Sequence, residues 1–520
     1  MCRSSSELVE ALIDQPTLGV LGSNRTRLTR AFVLAKHGHI TDARAEIDQV
    51  RLRVAVEGPG DASLYNELVL VEAHVRAYED RPSSPEDAAR LGRVLEAVPP
   101  DDRLGQGLAL NQLCIYALHM GHLDKAQEYA ESAARLYRQG GAEFGSLHMN
   151  AHLGQIRLMR GDLEGALAQY TEMEDRLSRL PDDTEGLLSA GKALRSEVAY
   201  EMNDIAGSTA LLAEAMESIE EDDAWLDIRA AAYRIRTRLS YLRSGLPAAL
   251  TELAHCERTA ERRNMPRLSR LMQIERARVL TLSGETDTAA ALMNGMGLSP
   301  EDYEFHEGGD WALRQGSITV AIARLLVRSR RAREALEFLQ PAEDCAIRGG
   351  QLLALAKLRV IRSTAHWRLG QKSDATGALL SALRLLGRQQ FRRFILDEGR
   401  DVLEIVQAAL DGEHVAVAPG PEYRRCLSEL SHAWAVTFGG GAPTGRDRNG
   451  MQTDGAGLQR KYLELLALGL SNKEIGRTMG VSVNTVKYHL KGIFRDLRVE
   501  SRTRAVAEAY RLRILSDEAP

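Results

Sequence analysis

Aromatic residues make up only 5% of this 520-residue chain, and stretches in which Val, Ile, Tyr or Phe alternate with polar residues are scarce. Sheets are assembled from such stretches, so a β-rich core is excluded. Ala, Leu and Arg dominate instead, a bias toward helix, and the expected class is all-α. No run of about 18 apolar residues occurs, so no membrane-spanning helix is expected. The N-terminus, MCRSSSELVEALID, lacks the basic and then apolar order of a signal peptide. The five cysteines, Cys2, Cys114, Cys256, Cys345 and Cys426, are odd in number and lack metal-ligand spacing. That excludes a disulfide framework and predicts reduced thiols in a cytoplasmic protein with no membrane partner.

What is present is length and an uneven charge. A chain of 520 residues exceeds one hydrophobic core and requires several domains or a repeat array. The net charge is −5, yet Leu458 to Leu515 holds 12 Lys+Arg against 5 Asp+Glu, leaving 55 against 67 elsewhere. A basic tail on an acidic body directs the tail alone toward a polyanion.

The body repeats a phrase: a hinge residue, usually Gly, followed about five positions later by a small residue on an apolar helix. It reads HGHITDA at Gly38, MGHLDKA at Gly121, RGDLEGA at Gly161, MNDIAGS at Asn203, SGLPAA at Gly245, SGETDTA at Gly284, SRRAREA at Arg330 and LGQKSDA at Gly370. From Gly121 onward the hinges are 40, 42, 42, 39, 46 and 40 residues apart. The 83 residues between Gly38 and Gly121 hold two periods, with a Pro-containing hinge near Arg81 to Ala88. Each period supplies two amphipathic helices, as in LALNQLCIYALHM and LDKAQEYAESAARLY. Gly turns the chain at a helix end, the small residue allows close packing, and stacked pairs cover one another's apolar stripes. A right-handed helical solenoid is expected.

Other signals fail on chemistry. GLLSAGKA, Gly186 to Ala193, has phosphate-loop spacing, but Ala193 replaces the hydroxyl that magnesium needs and the segment sits in a repeat helix. HGH at Gly38 and HEGGD at His306 lack a second ligand cluster. No catalytic constellation stands out from helix-surface charge, so no enzyme, metal or cofactor is expected.

After RQQFRRFILDEG, Arg388 to Gly399, a helical stretch runs to Phe438. Seven of the 19 residues from Gly439 to Gly457 are then Gly, the composition of a flexible linker. A helix follows from Leu458 with Tyr462, Leu465, Leu466 and Leu468 on its apolar face, stopped by Gly469. Ser471 and Glu474 form a capping box that starts a second helix at Asn472. Gly480-Val481 makes a turn, and Ser482 caps a third helix to about Leu497. There Val483, Val486, Leu490, Ile493, Phe494 and Leu497 form the buried stripe, leaving Asn484, Lys487, Tyr488, Lys491 and Arg495 on other faces. A fourth helix, Arg502 to Leu512, closes the small core. Short helix, glycine turn and a second helix with a basic N-terminal half is the helix-turn-helix plan for the major groove of duplex DNA. Lys473, Ser482, Asn484, Thr485, Arg495 and Arg504 suit phosphate oxygens.

The repeat phrases resemble tetratricopeptide-like repeats in a long, roughly 40-residue form, over about Leu28 to Gln390. GLSNKEI and VSVNTVKYHLKGIFRDLRVESRTRAV resemble the LuxR-type DNA-binding domain of bacterial transcription regulators. That resemblance implies base reading by Lys487, Tyr488 and Lys491, and dimerisation through the fourth helix at Arg502, Val506, Ala509 and Tyr510. Gln459 stands where the family has a glutamate, and Arg498 where it has a glycine. Solenoid, FRRFILDEG and tail together resemble the large regulators typified by the maltose-regulon activator, whose ATPase region is not expected to carry over.

The expected organisation is a lead-in (1–27), a repeat solenoid (28–410), a helical extension with Gly-rich linker (411–457) and a LuxR-type domain (458–515) with its motif at 472–491. The expected function is sequence-specific regulation of transcription, as an activator. Its partners are RNA polymerase, a second copy on DNA and an effector or protein on the solenoid. The rival expectation is a repeat scaffold or antiactivator working through protein contacts.

Overall fold

The computed structural model describes residues 23–511 and 515, apart from 37, 58–61, 83, 181–183, 222–223, 306–316, 388–389, 416–418, 439–455, 468, 480–485, 487–489, 491–492, 495–496, 498 and 500. Among the described residues every regular element is helical. Helices alternate inner and outer along the chain, as in Arg103–His119 and Leu123–Gln139, Glu143–Met159 and Leu163–Leu177, or Leu352–Arg368 and Lys372–Leu386.

The hinges explain the period. Gly38, Gly121, Gly161, Asn203, Gly245, Gly284, Arg330 and Gly370 all have φ between 64° and 87°. Each residue read from the sequence as a hinge is therefore left-handed. The missing hinge is Asp80, φ 55°, just before the capping box of Ser84 and Asp87 that starts Pro85–Ala97. A left-handed C-terminus folds the second helix back on the first and satisfies open carbonyls, as when the Gly121 amide donates to Leu118 O at 3.1 Å.

Only Gly adopts this backbone without steric cost. Gly370 has no atom within 4 Å of where a Cβ would stand, so strain there is purely conformational. Gly370→Ala is expected to lower stability by about 1 kcal/mol, and Arg330→Gly to raise it by up to about 1 kcal/mol. Urea titrations of both variants check the opposite signs.

The helix types differ from the uniform amphipathic pairs expected. Outer helices bury one stripe of mainly small residues, such as Ala126, Ala130, Ala133 and Ala134 in Leu123–Gln139. Inner helices are buried nearly all round: Glu185–Glu201 buries residues of every face, including Ser189, Ser196, Glu197 and Glu201. They pack against their outer partner, the inner helices of adjacent repeats and distant turns of the coil. The Asp80 carboxylate, for example, accepts from the amides of Arg267 (2.7 Å) and Leu268 (3.1 Å). Gly186 to Ala193 lies inside one such inner helix, which removes the phosphate-loop geometry. The expected extension joins the solenoid core, because Pro421–Phe438 contributes Leu427 and Leu430 to the cluster formed by residues 147–235 and 353–409.

Candidate functional site

The C-terminal domain builds a small core of its own. Ala456–Ala467 buries Tyr462, Leu463, Leu465 and Leu466, starting two residues before the expected Leu458. Gly469 turns the chain at φ 79°, its amide donating to Leu466 O at 3.0 Å. The capping box stands as read. Glu474 Oε2 accepts from the Ser471 amide (2.7 Å) and hydroxyl (2.6 Å), and Ser471 Oγ accepts from the Glu474 amide (3.4 Å). It opens the helix Asn472–Met479, which drives Ile475 into the core. Val486, Leu490 and Ile493 are helical and buried, and Phe494 and Leu497 pack beside them. Arg502–Arg511 closes the domain through Ala505 and Ala509, while the Arg502 guanidinium donates to Leu470 O. That bond ties the last helix to the loop before the helix-turn-helix.

Of the expected backbone contacts, Lys473 and Arg504 are exposed. Ser482, Asn484, Thr485 and Arg495 lie outside the described residues, as do Lys487, Tyr488 and Lys491, Gly480-Val481, Arg498 and the linker 439–455. On the expected dimer helix, Tyr510 is 40% exposed, Arg502 and Val506 are half-buried, and Ala509 faces the domain's own core.

A second cluster was missed because Arg and Glu on a helix read as surface charge. Phe391 to Gly399 crosses the inside of the solenoid as a strap, with Phe391, Arg393, Phe394, Ile395, Leu396 and Glu398 all buried. Its backbone joins the coil where the Arg392 amide donates to Glu201 O (2.8 Å). Asp397 is the central clasp. Its Oδ1 accepts from Arg393 Nε (2.6 Å), and its Oδ2 from Arg278 Nη2 (2.6 Å) and the Tyr200 hydroxyl (3.0 Å). Glu398 takes Arg324 through Nε (2.9 Å) and Nη2 (2.6 Å), while Arg328 donates to the Glu398 carbonyl. Behind the strap, Glu275 receives both Nε (2.8 Å) and Nη2 (2.9 Å) of Arg238 and Nη1 of Arg278 (3.0 Å). Lys357 reaches Glu201 at 2.9 Å.

Burial alone raises a carboxylate's pKa. Here burial is overcome: Arg393, Arg278 and Arg238 hold Asp397 down to about 2, and Arg238 and Arg278 hold Glu275 down to about 2. Burial and then Asp397 push the Tyr200 phenol up, so it stays a donor. The sequence carried one signal for this cluster. Glu275 and Arg278 stand in QIERARVL, where Arg276 between them is an ordinary part-exposed charge paired with Glu257, and only the apolar neighbours Ile274, Ala277, Val279 and Leu280 hint at burial.

Residues 66–411 match the MalT-like TPR region, and residues 459–509 match the bacterial regulatory proteins of the luxR family. The HTH-type transcriptional regulator AlkS of Ectopseudomonas oleovorans is 25% identical over 458 residues, 86% of this chain and 49% of that protein. The chain thus spans about half the length of that relative. The putative HTH-type transcriptional regulator YhjB of Escherichia coli K12 is 53% identical over 47 residues, 9% of this chain and 24% of its own. In fold, the chain is similar to a Rap protein solved in complex with competence and sporulation factor, with TM-score 0.53, 12% identity, and coverage of 70% of this chain and 98% of that one.

Proposed function

The chain belongs to the MalT-like TPR region family and carries a luxR-family domain at 459–509, and from that premise we propose that it regulates transcription by binding specific DNA sequences. The observation that carries this reading is the capped helix Asn472–Met479 packed beside the buried Val486, Leu490 and Ile493. In the reading proposed from the luxR-family match, Lys487, Tyr488 and Lys491 contact base edges, and Ser482, Asn484 and Thr485 contact phosphates. Lys473, Arg495 and Arg504 extend the grip on the backbone. The relatives named as transcriptional regulators support the same reading.

The finer proposal is an activator acting in the cytoplasm. Two copies pair through Arg502–Arg511, with Tyr510 as an exposed large apolar contact, and occupy paired half-sites near RNA polymerase. The solenoid, 28–410, receives the signal. Its likeness in fold to a protein solved with a bound factor supports a sensor role, and the strap links the coil's interior to the segments leading toward the DNA-binding domain.

Fluorescence-anisotropy titrations of the full chain against operator DNA over a salt series test the proposal. Lys473→Ala and Arg504→Ala are each expected to weaken binding at all sequences alike and to flatten the log K against log[salt] slope by about 0.9. A slope unchanged in both variants removes these residues from the backbone contacts. No measurable salt dependence in the wild type removes DNA binding itself.

A further inference from the structure

We propose that the cavity between the strap and the inner helices binds a small oxyanion, a molecule carrying a carboxylate or phosphate group, as the solenoid's effector. The inference rests on the reading of the solenoid as the sensor.

The cavity measures about 50 Å³ and is walled by Arg238, Arg278, Arg324 and Lys357, with Glu275 and Asp397 as its carboxylates. Ile274, Val320, Ala321 and Phe394 complete the lining. Four cations thus face two anions across one small space. The imbalance persists when the partners behind the wall are included. Arg324 and Lys357 pair with Glu398 and Glu201, and Arg393 adds a cation on Asp397. Among the described residues the cluster then has five cations for four carboxylates, the adjoining Arg234–Glu197 pair adds one of each, and Arg328, on the Glu398 carbonyl, is a further cation.

A buried surplus of positive charge is costly because neither water nor a counterion screens it. At Arg278 burial and then the neighbouring Arg238 oppose the charge, and Glu275 and Asp397 outweigh them, so its pKa is raised. Lys357 is pulled below the usual lysine value by burial, and Arg238 adds to that pull while Glu201 resists it. One anion in the cavity relieves all these cations at once. A neutral ligand leaves the surplus in place, and a cation adds to it.

The donors also suit an oxyanion. Three guanidinium groups and an ammonium converge from separate inner helices, each already oriented by a carboxylate, and guanidinium forks match carboxylate and phosphate oxygens in pairs. Placement supplies the consequence. Phe394 and Asp397 belong to the strap, which passes through Gly399 directly into Arg400–Leu410. An anion competing with Asp397 for Arg278 loosens the clasp that fixes the strap across the coil, and so reports its arrival along the chain toward the DNA-binding domain.

Isothermal titration calorimetry and thermal melting of the full chain test this with inorganic phosphate and with succinate, against sodium chloride at matched ionic strength. The expected result is saturable one-to-one binding of at least one probe and a higher melting temperature that chloride does not reproduce. The two arms separate a phosphate site from a carboxylate site. Lys357→Met is expected to weaken binding by about ten-fold or more, the loss of one charged hydrogen bond. Ala321→Leu, which fills the cavity and leaves every ion pair in place, is expected to abolish it; should Lys357→Met fail to fold, this variant carries the test. No saturable binding of either probe, or wild-type affinity in Ala321→Leu, overturns the proposal. The titrations contain no DNA, so their failure is distinguishable from a failure of DNA binding.

Discussion

Alanine at both Lys487 and Lys491 is expected to reduce affinity for a specific operator by about 10²- to 10⁴-fold, because each lysine contact to a guanine edge carries about 1–3 kcal/mol of discrimination. Binding to unrelated duplex, held by phosphate contacts alone, is expected to fall far less. Circular dichroism separates recognition from folding, because among the described residues the domain's core comes from Tyr462, Leu466, Ile475, Val486, Leu490, Ile493, Ala505 and Ala509. Gel shifts on an operator and on a scrambled duplex, with circular dichroism of each protein, check it. An unchanged ratio between the two duplexes contradicts the assignment of the reading face.

The second large effect lies inside the solenoid. Asp397→Ala removes the carboxylate shared by Arg278, Arg393 and the Tyr200 hydroxyl. Leaving buried guanidinium groups without their counter-charge is expected to destabilise the solenoid by about 3–5 kcal/mol. Asp397→Asn keeps the shape and loses the charge, and it is expected to be nearly as harmful. The same clasp sets an acid limit. Asp397 and Glu275 titrate near 2 in the folded chain, below ordinary values of 3.8 and 4.5. The unfolded state therefore takes up protons first as the pH falls. The stabilisation is complete above about pH 4.5 and disappears as the pH drops toward 2. Urea unfolding at pH 7, 4 and 2.5 checks both points: the wild type loses stability over that range, and Asp397→Asn, already without one of the two carboxylates, loses less. A flat wild-type profile contradicts the clasp.

The repeat was legible because a helix hairpin of this kind needs a left-handed residue at a fixed place, and Gly marks that place at Gly38, Gly121, Gly161, Gly245, Gly284 and Gly370. Asn203 and Arg330, which are not Gly, were legible from the phrases around them, MNDIAGS and SRRAREA, and from their distance to neighbouring hinges. The tail was legible through local chemistry, since the Ser471–Glu474 box and the stripe of Val486, Leu490 and Ile493 each depend on residues within one or two helical turns. The interior was not. Arg324 meets Glu398 across 74 residues and Lys357 meets Glu201 across 156, and no local pattern announces such partners. The strap's apolar residues, Phe391, Phe394, Ile395 and Leu396, are buried in the structure, a placement that the sequence reading did not make.

The central claim is that this chain selects particular DNA sequences through its C-terminal domain. Genome-wide footprinting of the full chain beside Lys487→Ala/Lys491→Ala tests it most directly. The account predicts a limited set of protected sites, built as paired half-sites about one helical turn apart near promoters, and their disappearance with the double variant. Protection spread evenly over the genome, or footprints identical for both proteins, would contradict it.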